Sequence, residues 1–152
     1  MRALLQRVRQ ASVNVNESQI SRINAGWLVF LGVAKTDTVS DLDYLVKKIC
    51  ELRAFPDTSG KCNLSLMETG GEVLLVSQFT LYADCRKGRR PSFGEAADPV
   101  VAQELYHQAV AKLEEKGVTV STGKFQESMV VSLENCGPMT LMVDSAHLNR
   151  RV

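Results

Sequence analysis

Two short runs of this 152-residue chain hold residue types able to act on a ligand mainly through the main chain. Ser77, Gln78, Phe79 and Thr80 follow an apolar stretch, and Asn135, Cys136, Gly137, Pro138, Met139 and Thr140 lie near the C-terminus. A Gly-Pro pair carries no side-chain chemistry. If it serves a function, it does so by presenting carbonyl oxygens in a fixed geometry or by excluding bulk. Proline fixes its own φ and is the one residue commonly preceded by a cis bond, while glycine accepts what a side chain forbids. An ordinary turn between two strands is the other reading of the pair. In the first run, Ser77, Gln78 and Thr80 put polar groups directly after the all-apolar residues 73–76. Leaving such a group buried without a partner costs about 1–3 kcal/mol. Cross-strand hydrogen bonds satisfy that demand, and so does a ligand held by strand-end amides and the Thr80 hydroxyl, since backbone donors suffice for an oxyanion hole.

More conventional chemistry finds little support. His107 falls on the polar side of a helical pattern and His147 in a polar tail, so neither is placed to serve a Ser-His-Asp or Cys-His device. Cys50, Cys62, Cys85 and Cys136 form no CxxC pair and no zinc-type spacing with the histidines, and reduced thiols are expected, with Cys50 in the core. No HExxH or clustered ligand set appears, so neither a metal nor a cofactor is expected. Arg86, Lys87, Arg89 and Arg90 surround Gly88, a cluster suited either to neutralising phosphates or to a solvated loop.

The elements that position these runs can be read from periodicity. Residues 1–15 alternate as a strand with a bulge or bend near Ala11; Asn16, Glu17 and Ser18 supply a turn, and 19–24 a short partner strand. The continuous apolar run 27–34 reads as a central strand covered on both faces. Leu42, Leu45, Val46, Ile49 and Leu52 recur at helical spacing, giving a helix over 40–54 with Ser40 and Asp43 as a capping box. A Gly70-Gly71 turn precedes a second long strand over 72–83. Residues 84–99 lack periodicity, and a second helix runs from Pro99, with Ala102, Leu105, Tyr106, Ala109, Val110 and Leu113 on one face, to a stop at Gly117. Strands over 118–121, 129–133 and 139–143 complete about seven, and the tail after Ser145, with Arg150 and Arg151, is expected to fray. Because most links are short, the expected fold is a single α+β domain over 1–152, a largely antiparallel, barrel-like sheet with two inserted helices.

Composition narrows the function classes. With 18 basic against 17 acidic residues the net charge is +1, so no global field recruits polyanions and any nucleic-acid contact is local. No run reaches the roughly 20 apolar residues of a membrane span or the form of a signal peptide, so a cytoplasmic chain without membrane contact is expected.

SQFTLYAD, the RKGRRPSF after Cys85 and NCGPMT, taken in this order with MRALLQRV, GWLVFLGVAKTD and GPMTLMVDS, resemble the D-aminoacyl-tRNA deacylase family over nearly the whole chain. The resemblance implies a homodimeric enzyme that hydrolyses the ester linking a D-amino acid, or glycine, to the terminal adenosine of tRNA. Ser77, Gln78, Phe79 and Thr80 would line the pocket, and Phe125 with Met129 would pack on the adenine. Gly137 and Pro138, joined by a cis peptide, would reach into the opposite subunit's pocket and exclude the L side chain, with Arg7 latching their loop. The ribose 2′-OH would assist cleavage, with Thr80 as a nucleophile in the competing mechanism. Three positions depart from the family's commonest pattern: Met139 replaces valine, Cys136 an acidic residue and Cys62 a methionine. Two other classes fit the same residues, a nucleic-acid-binding module without catalysis and a dimeric scaffold whose polar strand is satisfied internally.

Overall fold

The computed structural model describes residues 1–146; the tail expectation for His147, Arg150 and Arg151 lies outside the described residues. In chain order the strands and helices are β1 (Arg2–Val15), β2 (Ser18–Ile23), β3 (Gly26–Gly32), α1 (Val39–Glu51), β4 (Phe55–Pro56), β5 (Cys62–Leu64), α2 (Leu66–Thr69), β6 (Glu72–Ser77), α3 (Pro99–Glu115), β7 (Val120–Thr122) and β8 (Val130–Asp144). β4 and β5 form a small separate ribbon; the others build one six-stranded sheet.

β1 organises that sheet. Its residues 2–8 pair with β3 and residues 11–15 with β2, so β2 and β3 follow one another along one side, while β8 covers nearly the whole length of the other. Ala3 and Leu5 face the cluster packed under the helices, whereas Val8, Ala11, Val13 and Val15 face a second cluster on the opposite side of the sheet. In a strand alternate residues share a face, so the change from even Val8 to odd Ala11 requires one extra residue between them. The β1–β8 register does shift between Val8 and Ala11, at the bend expected near Ala11. Asn16 and Glu17 both adopt positive φ, +48° and +65°, the geometry of a tight hairpin turn.

The antiparallel expectation needs one amendment: β3–β6 and β6–β7 are parallel. The link from β3 to β6 carries α1 and α2 and the link from β6 to β7 carries α3, and a helical crossover returns the chain in the same direction. Parallel strands under helices are buried on both faces, and Trp27, Leu28, Val29, Val73, Leu74 and Leu75 are each 0% exposed. Gly26 sits where β2 hands over to β3. A Cβ there would lie 1.9 Å from the Glu72 carbonyl oxygen, so only glycine admits β6 alongside.

α1 ends at Glu51 rather than 54, and its capping box is two residues earlier than Ser40 and Asp43: the Asp41 carboxylate accepts from the Thr38 amide at 2.8 Å and its hydroxyl at 2.9 Å. Asp43 instead pairs with Lys112 of α3 at 2.8 Å, tying the two long helices together. α3 starts at Pro99 and is followed by Gly117 at φ +82°, with Leu105, Tyr106, Ala109 and Leu113 buried and His107 exposed. A third, short helix, α2, lies beyond the two helices expected.

Candidate active site

β6 stops at Ser77, and the strand expected over 72–83 gives way to a 3₁₀ turn, Phe79–Tyr82. The Gln78 amide still donates to the Leu31 carbonyl at 2.8 Å, and then the chain folds over the end of β3. Gly32 permits this: a Cβ on it would meet the Gln78 carbonyl oxygen at 3.0 Å and the Leu81 Cβ at 3.1 Å. As at any helix start, the first amides of the turn, those of Phe79 and Thr80, have no acceptor inside it. The Gln78 side-chain amide donates to Thr80 Oγ1, which leaves the Thr80 hydroxyl proton available. Phe79 and Thr80 are exposed, Ser77 and Gln78 half-buried.

Arg2 pins the turn from behind. Its Nη1 donates to the Leu81 carbonyl at 2.9 Å, its Nε to Asp144 at 2.9 Å, and its guanidinium lies 4.6 Å from the centre of the Tyr82 ring. Burial, joined by the nearby Asp37 and Asp144, pushes the Tyr82 phenol up and keeps it neutral. Burial works against the charge of Asp144, but the Ala146 amide and Arg2 outweigh it and hold that carboxyl below its usual range. No sequence pattern pointed to this role of Arg2, one of three arginines on the half-buried, alternating strand β1.

In front of the turn lies a cleft of about 730 Å³, within the ~300–1,000 Å³ usual for small-molecule sites. It brings together Ser77, Gln78, Phe79, Phe125 and Met129 of the expected set. Phe93 joins them, edge-on to Phe79 with ring centres 5.0 Å apart, a wall that sequence reasoning passed over although it was an isolated aromatic in a polar loop. Phe125 leans on Tyr106 at 6.0 Å, and the Tyr106 hydroxyl donates to the Leu75 carbonyl at 2.7 Å, bracing β6 two residues before Ser77. Burial pushes the Tyr106 phenol up to about 12. Met129 is held by the Lys124 amide, 3.3 Å from its Sδ, over Gly123, where a Cβ would lie 2.6 Å from the same sulfur.

Gly137, Pro138 and Arg7 do not line this cleft, and neither does Thr80, which sits on the turn beside it. The strands expected over 129–133 and 139–143 are the two arms of β8, both paired with β1. Between the pairs Val8↔Asn135 and Gln6↔Thr140, two steps along β1 face five along β8, so the surplus residues, Gly137 and Pro138 among them, bulge out of the ladder. Proline has no N–H to give a ladder, which suits it to that place. The Gly137–Pro138 peptide is cis, and both residues are exposed. Arg7 donates to the Gly137 carbonyl at 3.5 Å, to Cys62 Sγ at 3.4 Å and to the Ala54 carbonyl. Arg2 holds the back of the turn and Arg7 the bulge, and five residues of extended strand separate the two arginines by roughly 17 Å.

A larger cleft of about 1,080 Å³ on the far side of the turn is walled by ion pairs, among them the Met1 ammonium with Asp37 at 2.5 Å. Among the described residues no three His, Cys, Asp or Glu side chains gather as metal ligands would, all four cysteines are free, and no helix is long and apolar enough to cross a membrane.

Residues 4–144 match the family model described as D-Tyr-tRNA(Tyr) deacylase. A D-aminoacyl-tRNA deacylase of Clostridioides difficile (strain 630) is 55% identical over 146 residues, covering 96% of this chain and 98% of that protein. One from Desulfatibacillum aliphaticivorans is 56% identical over 145 residues, with 95% and 99% covered. Among solved structures, one described as c-Myc DNA unwinding element binding protein superposes with a TM-score of 0.89 at 38% identity over 95% of this chain and 98% of that one. A second, described as a probable eukaryotic D-amino acid tRNA deacylase, gives 0.83 at 20% identity, covering 94% and 98%, and shares the fold.

Proposed function

The chain belongs to the D-Tyr-tRNA(Tyr) deacylase family, whose reaction is hydrolysis of D-aminoacyl-tRNA, and on that premise we propose that the cleft in front of Ser77–Thr80 holds the scissile ester. Water adds to the ester carbonyl carbon, the bond to the ribose oxygen breaks, and free tRNA and the amino acid leave. The observation that carries this assignment is that Phe79, at the start of a turn whose first amides have no acceptor within it, lines the cleft together with the apolar wall of Phe93, Phe125 and Met129, with Thr80 beside it. The amides suit the developing oxyanion, and the aromatic surface suits the adenine ring. Thr80 Oγ1 has a side-chain amide as its partner, and an amide cannot take its proton. A threonine nucleophile needs an adjacent base, which favours the mechanism that the family resemblance implies, in which the substrate's own ribose 2′-OH assists cleavage.

The chiral filter comes from a second copy of the chain. Gly137 and Pro138 do not line their own cleft, and both are exposed where they bulge out of the β1–β8 ladder. β8 is an edge strand with Val130 67%, Leu133 37% and Met142 53% exposed, apolar surface of the kind that a like subunit covers. Carbonyls of the Gly-Pro bulge of one protomer, placed in the cleft of the other, reject a side chain on the L side of the α-carbon and admit D-residues and glycine.

The test is deacylation of D-tyrosyl-, L-tyrosyl- and glycyl-tRNA without added metal. D-tyrosyl- and glycyl-tRNA are cleaved and L-tyrosyl-tRNA survives; equal turnover of the two enantiomers overturns the reading. Thr80→Ala retains turnover within about a hundredfold, whereas removal of a true nucleophile costs about 10⁶. A second reading, binding of nucleic acid without catalysis, is favoured by the description of the 38%-identical structure, and salt-sensitive DNA binding by a chain that cleaves none of the three esters would establish it.

A further inference from the structure

We propose that the loop from Cys85 to Ser92 is the dock for the phosphates of the tRNA strand that enters the cleft, with Lys87, Arg89 and Arg90 as the contacting cations. This rests on the deacylase reading, because it names where the polyanionic part of that substrate lies.

Charge and position carry the inference. Arg86, Lys87, Arg89 and Arg90 stand within five consecutive positions, without an acidic residue between them. Taking these four from the chain's 18 basic residues leaves 14 against 17 acidic ones, so the rest of the molecule is net negative and the loop is its local exception. Like charges so close together repel one another, an arrangement that an anionic partner relieves. Arg86 is already engaged: its Nε and Nη2 bind the two Asp84 oxygens at 2.8 and 2.7 Å, and the Asp84 carboxyl is held well below its usual range by that contact. Lys87, Arg89 and Arg90, all exposed, have no carboxylate within salt-bridge distance among the described residues.

The loop is anchored rather than trailing. Asp84 and Ser92 exchange backbone hydrogen bonds of 2.7 and 3.0 Å across its base, the Asp84–Arg86 clamp sits just above, and Gly88 turns the tip at φ +72°, where a Cβ would meet nothing within 4 Å. Its two stems continue into elements of the site, since Tyr82 ends the turn that bears Thr80 and Phe93, next after Ser92, is the cleft wall against Phe79, while Asp84, Cys85, Arg86 and Ser92 themselves line the larger cleft on the far side of the turn. Arg90 is three residues from Phe93, roughly 10 Å of extended chain, so a strand whose terminal adenosine lies in the cleft passes its neighbouring phosphates beneath these cations. Guanidinium forks suit phosphate oxygens in pairs, which gives Arg89 and Arg90 an orienting role beyond charge alone.

The experiment compares wild type with the triple variant K87A/R89A/R90A on two substrates, D-tyrosyl-tRNA and the phosphate-free ester D-tyrosyl-adenosine, and measures binding of uncharged tRNA against salt. The variant is expected to raise KM for D-tyrosyl-tRNA by at least roughly tenfold, and to lower the slope of log Kd against log salt by about 2, at ~0.7 per single-strand phosphate contact. Its turnover of D-tyrosyl-adenosine stays at the wild-type level. The charge-retaining variant K87R/R89K/R90K keeps the salt slope. If wild type cleaves D-tyrosyl-tRNA and the triple variant keeps both KM and slope, the dock is wrong and the deacylase reading stands. Equal loss on both substrates also overturns the dock, because it places the effect in the cleft. If wild type cleaves neither ester while the variant loses salt-sensitive tRNA binding, the deacylase reading fails and the loop remains a phosphate dock.

Discussion

Two stretches of irregular backbone, the turn after β6 and the bulge in β8, are each fixed by an arginine from the same strand, yet they are finished to different degrees. Arg2 holds the Leu81 carbonyl and Arg7 the Gly137 carbonyl. Around the turn the chain supplies its own walls: Phe79 meets Phe93, Tyr82 lies under Arg2, and Tyr106 braces β6 from behind. Around the bulge, among the described residues, a Cβ on Gly137 would meet no atom within 4 Å. A polar, anchored but unenclosed backbone is the form expected of half a site, and the contrast fits the proposal that the turn receives a ligand while the bulge is received by a second copy of the chain.

The most forceful way to break the comparison is Gly137→Ala. Since the added methyl has open space in its own chain, stability is expected to change by less than about 0.5 kcal/mol. A methyl-sized change in a filter shifts discrimination by about 10- to 200-fold, so the ratio of D- to L-tyrosyl-tRNA turnover moves by that order while the melting temperature and subunit association stay put. An unaltered ratio removes the bulge from the site.

Substituting the two anchors sharpens the comparison. Arg2→Ala and Arg7→Ala each delete hydrogen bonds from a charged group to backbone carbonyls, and each is expected to lower stability by about 1.5–3 kcal/mol. Sites roughly 17 Å apart with no shared partner add within about 0.5 kcal/mol, so denaturant unfolding of the double variant tests whether turn and bulge are independent within one chain. Arg2→Ala is expected to depress turnover of both D-tyrosyl- and glycyl-tRNA, and Arg7→Ala to relax selectivity first.

The smallest effect concerns the brace behind the cleft. Tyr106→Phe forfeits the bond to the Leu75 carbonyl, at a cost of about 1 kcal/mol at neutral pH. The phenol titrates near 12 when folded and near 10 when unfolded. Its contribution is therefore complete below about pH 10; above that the unfolded chain ionises first and stability falls at roughly 1.4 kcal/mol per pH unit up to about 12, so the contribution is gone within about one unit and ionisation opposes folding beyond it. Unfolding of the two proteins across that window checks the sign: wild type loses stability more steeply, and the variant lacks that increment.

Much of this frame was legible in the residues. The apolar run after Gly26 announced a strand buried on both faces, the helical spacing of Leu42 to Ile49 and of Leu105 to Leu113 announced two helices, and the Asn-Glu turn and the bend before Ala11 followed from local chemistry and face alternation. The capping box was displaced because two Ser/Thr-x-x-Asp patterns, Thr38 with Asp41 and Ser40 with Asp43, compete within three residues, and the pairing of Asp43 with Lys112 decided between them. Phe79 and Thr80 were read as strand because their apolar and β-branched composition says strand; the chain turns there because β3 ends at Gly32 and leaves room to fold over it. Parallel pairing of β3 with β6 was hidden behind the many short links elsewhere, although the helix between them already implied it.

By itself the sequence determined what depends on near neighbours: which segments are strands or helices, where turns fall, and that a Gly-Pro pair and a polar strand end stand out from their surroundings. Only the tertiary structure decided which of these meet. Ser77, Phe93, Phe125 and Met129 converge on one cleft, and Gly137 with Pro138 is thrown outward halfway along β8, because both arms of that strand pair with β1 in registers that leave residues over. Periodicity records which face a residue takes within its own element; the register between strands is fixed by contacts across tens of residues, and no local pattern encodes it.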